Sequence, residues 1–213
     1  MVMAERILSK VIDIDNQLKE MGLDRKGLTE AVRFAEHHRS FVTANDPIGF
    51  PNYVVYAKLA RSLRETYLSK GWTKDDSHNQ AAIKNAKNKI RVVPCNFDEY
   101  AGNRLVRPTN KSPKGEVTRK KSACNRTAWL PGIPPIAPEF NDGYQTWILG
   151  VSIDDEHPTG AELSFPVAFD GNFFTQFGTR IILLTGDEDR GARVVDTSGG
   201  DAVEVVDIEV KRK

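Results

Sequence analysis

The chain has 213 residues, of which 39% are apolar and 28% charged, and it carries a net charge of +1. That length supports a hydrophobic core without staples, and the balance excludes the highly charged, weakly hydrophobic regime of disordered chains. No apolar run approaches the roughly 18 to 20 residues of a membrane span, and the opening MVMAERILSK lacks the basic-then-apolar order of a signal peptide, so a cytoplasmic protein with no membrane partner is expected.

Residues 4 to 21 place Ile7, Val11, Ile14, Leu18 and Met21 at alternating spacings of four and three, the stripe of an amphipathic helix, and Gly22 supplies its stop. Asp24 is suited to cap a second helix that turns Leu28, Ala31, Val32 and Ala35 inward and ends near Ser40. The segment TANDPIGFP breaks it. A third helix follows Pro51, with Val55, Leu59, Leu63 and Tyr67 on one face, Gly71 at its end and Trp72 placed for the apolar contact that often follows a glycine cap. Residues 78 to 88 read as a short polar helix, and IRVVP at 90 to 94 as a strand stopped by its proline.

Between about 102 and 143 the periodicity gives way to glycine, proline, asparagine and lysine, including PGIPPIAP at 131 to 138, which marks a connecting segment. Beyond it YQTWILGV, AELSFPVAF, FTQFGTRIILL, ARVV and AVEVVDIEV are strand-like runs separated by turn signals. The expected fold is α+β: an N-terminal helical part with one strand (1–101), the connecting segment (102–143), and a mainly antiparallel sheet, a sandwich or half-barrel (144–213). Both parts can also belong to one integrated domain.

Charge is the most informative feature. Residues 1–126 hold 24 Lys+Arg against 14 Asp+Glu, and residues 127–213 hold 6 against 15, so a +10 portion is joined to a −9 portion. The excess concentrates in residues 104–126, where Arg104, Arg107, Lys111, Lys114, Arg119, Lys120, Lys121 and Arg126 face the single acid Glu116. Such density suits phosphate backbones, because each neutralised phosphate releases condensed counterions. No aromatic residue interleaves the run, so duplex DNA or structured RNA fits better than a stacked single strand. The basic loop can instead be solvated or lie against the acidic portion.

Near the C-terminus, Asp196, a glycine turn and Glu209-x-Lys211 resemble the Asp…Glu-x-Lys arrangement of restriction-endonuclease-like nucleases. The resemblance implies two carboxylates on Mg²⁺ and a lysine positioning water, and Mg²⁺ is the only cofactor any reading of this chain requires. The same alternation also describes a half-exposed strand whose charges guard a sheet edge. The cysteines Cys95 and Cys124 have no zinc-site spacing and are expected to be free thiols; His37 and His38 are adjacent on a helix, while His78 and His157 each lie near aspartates in turns. No metal site is expected. There is no G-x-S-x-G elbow around Ser164 and no dinucleotide glycine fingerprint. Three function classes follow: a nucleic-acid-binding protein using the basic loop, a metal-dependent nuclease, and a non-catalytic assembly subunit whose charged portions mate with each other or with a protein partner.

Overall fold

A computed structural model describes residues 4–129 and 142–185. The chain runs β1 (Arg6–Leu8), α1 (Val11–Met21), α2 (Arg25–Arg39), α3 (Phe50–Tyr67), β2 (Thr73–Asp75), β3 (Ala82–Asn85), β4 (Ile90–Asn96), α4 (Glu116–Trp129), β5 (Gln145–Ser152), β6 (Gly160–Asp170) and β7 (Phe173–Thr185). The class is α+β, but the strands among the described residues form one seven-stranded mixed sheet in the order β1-β7-β6-β5-β4-β3-β2. The pairs β1·β7 and β4·β5 are parallel and the others antiparallel. The first half of the chain contributes four strands, not the single one its periodicity suggests. The expected strands ARVV and AVEVVDIEV lie outside the described residues.

Period-two alternation divides the sheet into two faces. On the first, Val92 of β4, Trp147, Leu149 and Val151 of β5, Leu163 and Phe165 of β6 and Ile181 of β7 pack against α1–α3. The stripes read from sequence carry this layer: Ile14, Leu18 and Met21 of α1, Leu28, Ala31, Val32 and Ala35 of α2, and Val55, Leu59, Leu63 and Tyr67 of α3 are all buried. Asp24 caps α2 by accepting from the Gly27 amide at 2.7 Å. Trp72, 2% exposed, donates its indole N–H to the Gly22 carbonyl at 3.0 Å and so locks the end of α3 to the end of α1.

Three local expectations are corrected. Ile7 sits on β1, because residues 6 to 8 pair with Thr179–Ile181 before the helix starts at Val11. Residues 78 to 88 form a 3-10 turn (Ser77–Asn79) and β3, not a helix. Pairing with β4 overrides local propensity there, and the Asn85 side chain nucleates the hairpin by accepting from the Lys87 and Asn88 amides. Pro94 does not stop β4, since β3 pairs only with Ile90–Val92 and the proline lies past the last rung on that side.

The second face is covered by α4 and by the stretch from Phe97 to Gly115. Here a smaller apolar group, Val93, Cys95, Phe97, Ile148, Phe174 and Phe177, is interrupted by buried charge. Gly150 lets Phe97 lie directly on β5: a Cβ there would fall 2.2 Å from the ring.

Candidate functional site

The segment carrying most of the positive charge is not a loop throughout. Residues 116–129 form α4, and the reason its periodicity escapes notice is that its inward stripe is polar. Thr118, Lys121, Ser122 and Asn125 recur at helical spacing and are all buried. Glu116 in the first turn complements the helix dipole and holds Arg119 through a two-pronged ion pair, with Lys120 at 3.8 Å.

Asn125 fastens the helix to the sheet. Its side-chain amide donates to the carbonyls of Thr146 (2.7 Å) and Pro166 (3.0 Å) and accepts from the Thr146 amide (2.9 Å). The β5·β6 ladder runs only from Ser152 back to Ile148, and Asn125 supplies backbone-like partners where those strands part.

Beside this anchor the face buries an ionic cluster. Arg91, 2% exposed, donates through Nε to Asp75 at 2.7 Å, through Nη2 to Asp142, and through Nη1 to Thr146 at 3.5 Å. Burial alone would raise the Asp75 carboxyl, but the Ser77 backbone amide and the Arg91 guanidinium outweigh it and hold the group well below the usual carboxylate range. A second cluster lies across β6 and β7. Arg180 (1% exposed) meets Glu162 (0%) at 2.8 and 2.5 Å, and Ser164 donates to the same carboxylate at 2.5 Å. Arg180 also binds the Asn103 and Val106 carbonyls, so this pair moors the loop at 102–107.

Under α4, residues of β4–β7 together with the 78–80 turn and residues 113–115 line a cavity of about 420 Å³. Its apolar wall is Val93, Ile148, Pro166 and Phe174; its polar rim includes Lys114, Thr118, Lys121 and Gln80. Such a volume and mixed lining match small-molecule sites. Lys121, 6% exposed, donates to Gln80 Oε1 at 2.8 Å, and Gln80 is oriented by its own donation to Thr118 Oγ1 at 2.7 Å. Burial, reinforced by the Arg91 charge and only partly offset by Asp75 and Asp142, pulls the Lys121 ammonium down to about 8. Burial also pushes the Cys95 thiol up, against the pull of the Lys114 charge beside it. His78 and Asn79 line the cavity with consecutive positive φ values of 58°, a left-handed pair that non-glycine residues adopt at a cost of order 1 to 3 kcal/mol each.

The eight basic residues named from sequence therefore divide. Lys114 and Lys121 turn inward to the cavity. Arg119 and Lys120 pair with Glu116, Arg107 bonds Glu5 and the Thr175 carbonyl, and Lys111 approaches Asp154 at 4.0 Å. Arg104 and Arg126 are solvent-exposed. Asp196, Glu209 and Lys211 lie outside the described residues. Among the described residues no group of three or more His, Cys, Asp or Glu could hold a metal ion, and both cysteines are free. His157 contacts Asp154 at 3.1 Å, while His37 and His38 join an aromatic cluster with Phe34 and Phe41. No helix among the described residues is long and apolar enough to cross a membrane.

Sequence reasoning names the two lysines only as part of a basic run suited to nucleic acid, and it passes over Gln80, Thr118, Ser122 and the strained His78–Asn79 pair as cavity residues. The available signal was the polar stripe 118-121-122-125 at helical spacing, which a search for apolar periodicity passes over. A scan against protein-family models and searches of curated proteins and solved structures found no match to this chain.

Proposed function

We propose that this protein binds a small anion with an apolar body in the cavity beneath α4. The observation that carries the reading is a lysine ammonium buried at the edge of a cavity of about 420 Å³ that has one apolar wall and a second lysine on the same rim. Burying an ammonium whose one neutral clamp is a glutamine carbonyl is costly, and a bound anion offsets that cost. The Thr118 and Arg119 amides donate to the Gly115 carbonyl and Glu116 already stands in the first turn of α4, so the attraction for a carboxylate or phosphate comes from the two lysines. Phenylacetate, phenyl phosphate and the uncharged phenylacetamide, titrated calorimetrically into the full chain, test this. The two anions should bind saturably and the amide weakly, with binding lost in Lys121→Met. Equal affinity for the amide, or anion binding unchanged in the variant, refutes the site.

A second reading is duplex nucleic-acid binding, supported by the tip at 102–107. Leu105 stands 96% exposed between Arg104 and Arg107 on a backbone moored by the Arg180–Glu162 pair. An apolar residue held rigidly between arginines suits insertion at a base step with phosphates on either side. A low-salt mobility-shift assay decides it: Leu105→Ala and Arg104→Ala should each weaken binding, and identical shifts in wild type and variants count against the tip.

A further inference from the structure

The cavity holds a group that anion binding alone does not explain. Lys121 is the sixth residue of α4, about 7.5 Å along the axis from the helix start, and helical side chains lean toward the N-terminus. Its amine therefore reaches back along the cavity toward the amides of the first turn and Lys114. A simple phosphate or carboxylate clamp would present a fully protonated, flexible lysine. Here the stem is buried, the nitrogen is held at 2.8 Å by Gln80, and the charge is opposed by the Arg91 guanidinium on the neighbouring strand. The charged and titratable groups around it are Arg91 of β4, Asp75 of β2, Asp142 ahead of β5, and Tyr56, His78, Cys95, Lys114 and Glu116 on the cavity wall.

We infer that Lys121 is an imine-forming amine and that the ligand class is a 2-oxo acid with an apolar side chain, its carboxylate toward Lys114 and its carbonyl at Lys121. The inference rests on the anion-binding reading above and adds covalent capture to it. The neutral amine's lone pair forms a C–N bond to the carbonyl carbon while the C=O π pair moves to oxygen. Protons pass from nitrogen to that oxygen, which departs as water and leaves C=N. The two N–H hydrogens and the carbonyl oxygen account for the one water released, and nothing is oxidised or reduced. Val93, Ile148 and Phe174 receive the side chain, and Gln80 steers the nitrogen lone pair by fixing one N–H. At pH 7 a lysine titrating at about 8 has a neutral fraction on the order of a hundredfold above that of a surface lysine near 10.4.

The test incubates the full chain with phenylpyruvate and sodium cyanoborohydride, which reduces imines to stable secondary amines, and reads the adduct by intact mass and peptide mapping. Among lysines the adduct should form at Lys121, on the order of a hundredfold faster than at surface lysines, with peptide mapping separating it from reaction at the terminal α-amine, whose ordinary value is about 7.7 to 8. It should be absent in Lys121→Met and suppressed in wild-type protein by excess phenylacetate, an arm that requires no variant to fold. Adducts scattered over surface lysines and indifferent to phenylacetate overturn the inference. If phenylacetate binds and no Lys121 adduct forms, the imine is refuted and the anion site stands; if phenylacetate does not bind, the site itself falls.

Discussion

The two faces of the sheet solve the same burial problem with different chemistry. On the α1–α3 face, β4, β5, β6 and β7 present Val92, Leu149, Leu163 and Ile181 to helices whose stripes are apolar throughout. On the α4 face the same strands present Arg91, Thr146, Glu162, Ser164 and Arg180, met by the 102–107 loop at Glu162 and Arg180 and by a helix whose inward stripe is Thr118, Lys121, Ser122 and Asn125. Apolar packing is non-directional and forgiving of small shifts, whereas buried ion pairs and amide bridges hold only in one geometry. The contrast teaches where to look for function: the first face stabilises, and the second positions groups around a cavity at some expense in stability.

The contrast can be broken most forcefully at the buried ion pairs. Arg180→Met should cost about 3 to 5 kcal/mol, because Glu162 is left charged and unpaired, while replacing both partners with apolar residues should recover most of that loss. Leu149→Ala on the opposite face should cost about 2 to 5 kcal/mol with no such rescue by a second substitution. Denaturant unfolding of the three variants checks both. Asn125→Leu should cost about 1 to 3 kcal/mol, because three backbone groups of β5 and β6 lose their partner, and hydrogen exchange should accelerate at the Thr146 amide before it does at Leu149.

A subtler effect separates the faces by pH. Lys121 releases its proton at about 8 in the folded chain and near 10.4 when unfolded, so between those values the unfolded state binds more protons. The group's penalty on folding is full below about 8 and is relieved as pH rises toward 10.4, so its contribution to stability increases across that window. Stability curves at several pH values should show this rise in wild type and lack it in Lys121→Met. The smallest effect is expected from Arg119→Ala, whose pair with Glu116 is exposed at the surface. Unfolding midpoints of the two proteins should coincide.

The helical layer was legible because its residues follow the apolar period: the stripe of α1 from Ile14 onward, the stripes of α2 and α3, the Asp24 cap and the Gly22 and Gly71 stops appear where the spacing puts them, whereas Ile7 joins β1 and Val11 is exposed. β5, β6 and β7 were legible from alternation and turn signals. The α4 face was not, and the physical reason is specific. Thr118, Lys121 and Asn125 look like a solvated stretch until Gln80, Thr146 and Pro166 are brought from far along the chain to satisfy them, while Ser122 donates back to the Thr118 carbonyl within the helix. The parallel pair β4·β5 was hidden for a related reason, since its partners are separated by the whole connecting segment. The charge excess at 104–126 was visible, but sign alone did not reveal that Lys114 and Lys121 point inward while Arg107, Arg119 and Lys120 find acids of their own.

On the proposed function, the α4 face binds a small anion with an apolar body. Titrating ¹⁵N-labelled protein with phenylacetate and following every amide resonance tests it most directly. Saturable shifts should concentrate at His78–Gln80, Lys114–Ser122 and Thr146, with the first-face amides of Leu149 and Leu163 unmoved. Shifts spread over Arg104, Arg119 and Arg126 with none at Gln80 or Lys121 would contradict it.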